Sequence, residues 1–526
     1  MKKYLLNQIA IGIDEDVSLL KTLAAKTLGI NLTDIYTIKI VRKSIDARRK
    51  GRIQLVYSLC VETSSKVDLS VAGTKEIFEP TESKLIEGTS ELRGMTVVVG
   101  SGPAGLFAAL ELARQGYNPL VIERGECVEK RTKKVEAFWL GGELDLDTNT
   151  QFGEGGAGTF SDGKLTTRIG DPLSETVLQQ FVKAGASKEI LFDAKPHIGS
   201  DVLKYVIPNI RKEIEKLGGV FKFNTKLTDL KVTNSEIKAI KINSVEWIDV
   251  GAVVLAIGHS ARDTFEILLN RGMDISQKAF SVGVRIEHPQ ELIDKAQYGN
   301  FAGHPAIGAA DYQLFTRGGE RTAYTFCMCP GGEVVAADSE YEGLVTNGMS
   351  QSNRALANAN SAFVVAVRPN DFADKSPLSG VYFQRQIEQK AYKLGNGAAP
   401  IQKLGDFITD KVSNSKGLVK TSYTRATECV KMDEVFPVFV CAKMREAIPD
   451  FENKLKGFAF SDALLIAPET RTSSPIRMNR EDDGTAISIA GLYPAGEGAG
   501  YAGGIMSAAI DGIKAARKII SKYRRT

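Results

Sequence analysis

Gly100, Gly102 and Gly105 stand together in Gly100-Ser-Gly-Pro-Ala-Gly105, and Glu123 follows twenty-three residues after the first of them. The three glycines of such a turn serve different ends. Gly100 permits the tight turn, Gly102 lets backbone approach a pyrophosphate, and Gly105 allows close helix packing. Ser101, Pro103 and Ala104 complete the turn, and an acid placed like Glu123 accepts hydrogen bonds from ribose hydroxyls. That chemistry is the holding of a dinucleotide. The flanking residues supply the elements that must position it. Residues 96–99 are an apolar strand run, Leu106, Ala109, Leu110 and Ala113 recur at helical spacing until Gly116, and residues 118–122 form a further strand leading to Glu123. The phosphates then meet a helix N-terminus. The triad alone leaves NAD and FAD open.

Two later segments bear on that choice. Asp249-Val-Gly-Ala-Val-Val-Leu-Ala-Ile-Gly258 is a buried-strand run followed by His259. Ile487-Ser-Ile-Ala-Gly-Leu-Tyr-Pro-Ala-Gly-Glu497 leads into a glycine-rich stretch and an apolar helical pattern from Ile505 through Ala509, Ile513, Ala516 and Ile520. Over most of residues 95–526 these segments resemble flavoproteins of the glutathione-reductase-like FAD fold. Residues 249–258 resemble that fold's returning strand, with Ile257 in place of its usual threonine, and residues 487–497 resemble its C-terminal flavin motif. The resemblance implies FAD, with Gly496 and Glu497 at the ribityl chain. The helix that opens at Gly504 and Ile505 is expected to aim its positive end at the flavin, which favours the anionic reduced ring.

Between the two halves lies Gln151-Phe-Gly-Glu-Gly-Gly-Ala-Gly-Thr-Phe-Ser-Asp-Gly-Lys164. In the resembled fold the corresponding loop passes the flavin, which makes Gly156, Gly158, Thr159 and Lys164 flavin-side candidates and Gly258 and His259 neighbours of the ring. Arg124 and Arg131 follow Glu123, and the resemblance makes Arg131 a phosphate contact. Phe326-Cys-Met-Cys-Pro-Gly-Gly332, Thr346-Asn-Gly-Met-Ser350, Asn358-Ala-Asn-Ser-Ala362 and Glu469-Thr-Arg-Thr-Ser-Ser-Pro-Ile-Arg477 together resemble a bacterial family described as FAD-dependent, or NAD(FAD)-utilising, dehydrogenases.

No second glycine triad is present, so NAD(P)H is expected only as a transient reductant. Cys127 lacks the second cysteine of a disulfide-reductase pair, and Cys327-Met-Cys329 is the one close pair, open to a redox or a plain buried role. Ala256-Ile-Gly-His259 stands where aromatic hydroxylases carry Asp-Gly, which weakens a monooxygenase reading. Arg471 and Arg477 are candidates for an anionic substrate. No residue is singled out as catalytic.

Size and composition bound the rest. Of 526 residues 43% are hydrophobic and 25% charged, as in ordinary globular chains. A net charge of +4 gives no field that would imply nucleic acid. No apolar run approaches the ~18 residues of a membrane span, the N-terminus lacks a signal-peptide pattern, and six scattered cysteines suggest neither a metal site nor a disulfide scaffold. The cytoplasm is the expected compartment.

The expected fold class is α/β: a Rossmann-like FAD-binding domain, an inserted α+β substrate domain and a small N-terminal α+β domain. The boundaries read as 1–94 for the N-terminal domain and its linker (63–94), 95–275 and 456–526 for the FAD-binding domain, and 276–455 for the substrate or cap domain. Residues 42–52, six of them basic, read as a hairpin loop, and the Ala/Asn-rich residues 351–367 as a long helix. The function expected is an FAD-dependent oxidoreductase passing hydride between flavin N5 and an unknown small molecule. A flavin monooxygenase and a non-redox FAD-binding scaffold are the alternatives.

Overall fold

Alternating burial along Gln54–Thr63 marks a strand with one face on a core. The computed structural model, which describes residues 1–67, 69, 73–77, 85–167, 170–415 and 417–525, sets it in a four-stranded sheet. The strands are β1 (Lys2–Gly12), β2 (Ile35–Asp46), β3 (Gln54–Thr63) and β4 (Thr74–Ile77), in the order β2-β3-β1-β4. Helix α1 (Leu19–Leu28) buries Leu20, Ala24, Ala25 and Leu28 on this unit's core. The basic stretch is only partly a loop: strand β2 carries it as far as Asp46. Lys43 docks this edge on the rest of the molecule, its amide 2.7 Å from the Phe192 carbonyl and its carbonyl 2.8 Å from the Ala194 amide. Of the expected connecting segment, residues 68, 70–72 and 78–84 lie outside the described residues.

The next sheet starts at β5 (Met95–Val99), crosses over through α2 (Pro103–Arg114) to β6 (Leu120–Ile122), and reaches β7 (Val220–Lys222) after α3 (Val128–Trp139), α4 (Leu173–Lys183) and α5 (Ser200–Lys216). The strands β8 (Leu227–Thr233), β9 (Glu236–Ile242) and β10 (Glu246–Leu255) form an antiparallel meander. Its last strand pairs in parallel with β5, giving the order β7-β6-β5-β10-β9-β8. Helix α6 (Arg262–Asn270) follows β10.

A large sheet then takes over, built from β11 (Phe280–Pro289), β12 (Ala323–Ala336), β13 (Thr346–Met349), β14 (Asn358–Val367), β15 (Ala399–Lys403), β16 (Thr427–Cys429) and β17 (Leu464–Glu469). Its order is β13-β12-β14-β11-β17-β15-β16, with α7 (Ser379–Leu394) and α8 (Val438–Lys454) among its connections. The helix expected over 351–367 is not formed: residues 358–367 are strand β14, held between β12 and β11. Nine of its ten residues are buried, and Val364, Val365 and Val367 suit a pleated interior better than a helix. Strand β17 belongs to this sheet although it lies beyond residue 455.

The chain finally returns to the sheet of β5. Strand β18 (Leu492–Pro494) pairs in parallel with β10, and α9 (Ile505–Lys522) lies against α2. The approach is close: a Cβ on Gly512 would stand 2.0 Å from the Ala104 carbonyl oxygen. This crossing brings the N-termini of α2 and α9 to one place.

Candidate functional site

A cavity of about 1130 Å³ opens between the sheet of β5 and the large sheet of β11. It exceeds the ~300–1,000 Å³ of common small-molecule sites. Both helix N-termini reach it, through Gly102, Pro103 and Ala104 on α2 and through Gly504 and Ile505 on α9. Of the residues singled out from sequence, Gly100, Glu123, Arg124, Gly156, Gly158, Lys164, Gly258, His259 and Glu497 also line it, whereas Ser101, Gly105, Arg131, Thr159 and Gly496 stand behind the wall.

The first turn is fixed by its own hydrogen bonds. The Gly100 amide donates to the Ile122 carbonyl at 2.8 Å, and the Gly155 amide to the Ser101 carbonyl at 2.9 Å. Glu123 ties turn and loop together: its carboxylate accepts from the Ser101 amide (2.9 Å) and hydroxyl (2.8 Å) and from the amides of Gly125 (3.0 Å) and Gly153 (3.1 Å). Gly100 and Gly105 are demanded by the protein itself. A Cβ on Gly100 would meet the Ala256 carbonyl oxygen at 2.4 Å, and one on Gly105 the Gly100 carbonyl oxygen at 1.8 Å. Gly102 differs, since a Cβ there would meet nothing nearer than the Gly156 Cα at 3.8 Å.

Arg131 is not a phosphate contact in this structure. Its side chain is fully buried and donates to the carbonyls of Asn149, Thr150, Gly153, Glu154 and Gly156 at 2.6–3.2 Å. Burial lowers its pKa to about 10 without removing the charge at neutral pH. The guanidinium is the internal frame of the glycine-rich loop, and Thr159, whose hydroxyl donates to the Glu154 carbonyl at 3.3 Å, sits inside that frame. Arg124 forms a bidentate pair with Asp263 (2.8 and 2.9 Å) and lies 4.2 Å over the Phe152 ring. The Gly496 amide is spent on Asp511 at 2.7 Å.

Glu497 is the exception among these satisfied groups. Among the described residues its carboxylate has no hydrogen-bond partner, and burial pushes it up to about 7, against a partial pull from Lys278. His259 is driven the other way: burial, with the charges of Arg471 and Arg262, brings it down to about 3, so its ring is neutral. Its Nδ1 lies 3.1 Å from the Ser260 hydroxyl. Arg471 lines the cavity but spends its charge on Glu388 (3.0 and 3.2 Å), which also pairs with Arg262 at 2.7 Å. Arg477 lies off the cavity, 5.0 Å over the Tyr501 ring.

The large sheet adds groups that the sequence pattern did not single out. Glu469 faces the cavity and is pushed up to about 7 by burial, although Arg285 stands 3.4 Å away. Asn347 lines the same wall, and so does Cys327 of the close pair read from the sequence. A signal was present in the alternation Val284-Arg285-Ile286-Glu287, where charges interrupt an otherwise apolar strand. Among the described residues no group of three or more His, Cys, Asp or Glu side chains is arranged for a metal ion, and no helix is long and apolar enough to cross a membrane.

Comparison with known proteins fits this geometry. Residues 279–472 match the family model described as the FAD-dependent protein C-terminal domain, residues 98–133 match a NAD(P)-binding Rossmann-like domain, and residues 1–62 match a domain of unknown function. An uncharacterised protein of Clostridium beijerinckii is 50% identical over 528 residues, covering 98% of each chain. This chain belongs to one family with that protein, and over residues 279–472 it is an FAD-dependent protein by its C-terminal domain. Its cofactor is FAD, and its fold is the mixed α/β arrangement with a Rossmann-like nucleotide domain that the sequence implied. Remote likeness extends to solved flavoenzymes. An L-amino acid deaminase from Proteus vulgaris is 11% identical, with a TM-score of 0.36 over 84% of this chain and 94% of that one. A flavin-dependent brominase is 12% identical, with a TM-score of 0.37 over 81% and 80%.

The residues present fit FAD. A dinucleotide needs anion sites, which the two helix N-termini offer, and hydroxyl acceptors, which the unpartnered Glu497 offers. It also needs bare backbone, and a Cβ added at Gly503 or Gly504 would meet no atom within 4 Å.

Proposed function

We propose that this FAD-dependent oxidoreductase is a dehydrogenase or reductase that passes hydride between a small-molecule substrate and flavin N5. The observation that carries the reading is the unpartnered Glu497 carboxylate, set between two helix N-termini in a cavity that continues to the wall of Glu469 and Asn347. In this reading Gly102 to Ala104 receive the pyrophosphate, Glu123 the adenosine ribose, and Glu497 the ribityl hydroxyls. Ile505 brings the positive end of α9 to the flavin, with Gly156, Gly158 and Gly258 beside it. Bound flavin supplies two-electron redox chemistry. The protein supplies orientation and protons: Glu469, near its midpoint at neutral pH, both holds and releases a proton beside the substrate space.

The reading extends to a glutathione-reductase-like lineage for the nucleotide domain. The domain division follows, with 1–94 as the N-terminal unit and linker, 95–275 and the chain after β17 as the FAD unit, and the large sheet as the substrate unit. NAD(P)H enters only as a transient reductant. A cytoplasmic setting keeps the six thiols reduced.

The visible spectrum of the purified, reconstituted protein tests the premise, with oxidised-flavin bands expected near ~370 and ~450 nm. Anaerobic bleaching of those bands by NADH, NADPH or a member of a metabolite panel then tests the reaction. Bands that no donor bleaches would refute the dehydrogenase reading. Glu497 makes a further prediction. Ribityl hydroxyls donate to the ionised carboxylate, so FAD binding lowers its pKa from about 7 and expels a proton. FAD affinity therefore rises with pH until about pH 7 and levels off above it, at roughly tenfold per unit of pKa shift. In Glu497→Gln that rise disappears, as equilibrium titration of apoprotein at several pH values would read.

A further inference from the structure

The wall opposite the two helix N-termini carries sulfur chemistry that the proposed function leaves unused. Cys327 lines the cavity on β12, where pairing to β14 slips between Phe326 and Cys329. Its backbone lies at φ 44°, a left-handed conformation that few residues with a side chain adopt. This turn brings the Cys329 sulfur 3.3 Å from the Cys327 carbonyl oxygen, so both cysteines belong to one tight bend of the chain. Two cations clamp it. The Lys164 ammonium, paired with Asp162 at 2.9 Å, donates to the Met328 carbonyl. Arg285 donates to the Cys327 carbonyl at 2.6 Å and lies 3.9 Å from the Cys329 sulfur.

The two thiols are thereby made unequal. Cys327 is held well below the usual thiol range, first by the hydrogen bond from Cys329 and then by the Lys164 and Arg285 charges. Cys329 is pushed up, by donating that bond and by burial. Elsewhere burial pushes the thiols of Cys60, Cys127 and Cys441 up. A cavity-facing thiolate with a resolving thiol directly behind it is the arrangement of a redox-active pair.

We propose that Cys327 and Cys329 are a redox dithiol that exchanges two electrons with the FAD held in the same cavity. The inference rests on FAD binding there. In the oxidising direction the Cys327 thiolate and the Cys329 thiol join as a disulfide, releasing two electrons and the Cys329 proton. Oxidised flavin takes up both electrons and that proton, so the step balances without another reactant. The pair is returned to thiols by exchange with an external dithiol, which attacks the sulfur of Cys327 on the cavity side.

The test uses the full-length, FAD-loaded protein, oxidised with diamide and freed of the reagent. One tryptic peptide, residues 322–354, carries both cysteines. It is expected to lose two hydrogens and to resist alkylation. Anaerobic dithionite titration is expected to consume about twice the electrons that the flavin alone accepts, falling to the flavin's own share in Cys329→Ser. Dithiothreitol is expected to bleach the flavin at least tenfold faster in the wild type than in Cys327→Ser. A flavin-loaded wild type whose two cysteines both alkylate after diamide, and whose titration ends at the flavin's share, overturns the dithiol alone. A protein that cannot be loaded with FAD overturns the exchange together with the FAD reading, while the peptide mass still reports whether the disulfide forms.

Discussion

Gly102→Val is expected to give a folded protein that retains no flavin. Gly102 has φ −70°, which valine also adopts, and its Cβ position faces only the Gly156 Cα at 3.8 Å. The fold therefore tolerates the side chain. The space it takes is the approach to the N-terminus of α2, where in the proposed site backbone amides meet the pyrophosphate. A ~100-fold loss of FAD affinity, about 3 kcal/mol, is enough to strip the cofactor during gel filtration. Gly105→Val is the contrasting variant, because its Cβ would stand 1.8 Å from the Gly100 carbonyl oxygen and the crossover itself must break. The flavin-to-protein absorbance ratio, read beside thermal unfolding, separates the two. Full occupancy in folded Gly102→Val would sink the assignment of the turn.

Arg131→Ala is expected to cost several kcal/mol of stability although the side chain lies off the cavity. Five carbonyls of the glycine-rich loop accept from this one guanidinium at 2.6–3.2 Å. A buried acceptor left without a partner costs about 1–3 kcal/mol, part of it recovered by water entering the void. A fall of roughly 5–10 °C in the midpoint follows for a loss of several kcal/mol, with flavin retention reduced as the loop disorders. Arg131→Lys should rescue little, since an ammonium cannot spread over carbonyls that a planar fork reaches. A midpoint within a degree of wild type for Arg131→Ala would overturn the loop-frame role.

The contrast between these residues shows what a sequence makes legible. Gly105 answers a demand five residues away, at the Gly100 carbonyl, and the strand before the turn is a continuous apolar run, so the spacing of the turn is written locally even though Gly100 also packs on Ala256. The run from Ile505 is as readable, because α9 buries one apolar face along its whole length. Arg131 is different. Its partners lie 18 to 25 residues downstream, in a loop whose path the sequence does not announce, and an arginine after Glu123 suits a phosphate equally well. Residues 358–367 misled for a related reason: Ala and Asn in the first half mark no strand, the valines that do come only at its end, and pairing with β11 and β12 carries the strand through the whole segment. Arg285 and Glu469 are 184 residues apart and meet only through the pairing of β11 with β17.

The return of β18 and α9 to the first crossover also sets an order in time. Gly102 leaves the ribosome long before Glu497, by ~20–80 s at roughly 5–20 residues per second. Through that interval the outer edge of β10 at Val253, Val254 and Leu255 lacks β18, and the face of α2 that will receive Gly512 stays uncovered. In the proposed site, FAD is therefore held only once the segment carrying Glu497 has been made. The nascent chain offers a bare strand edge and an apolar helix face to chaperones until its own closing segment arrives, and the cofactor can be trapped only by a chain that has made that closure.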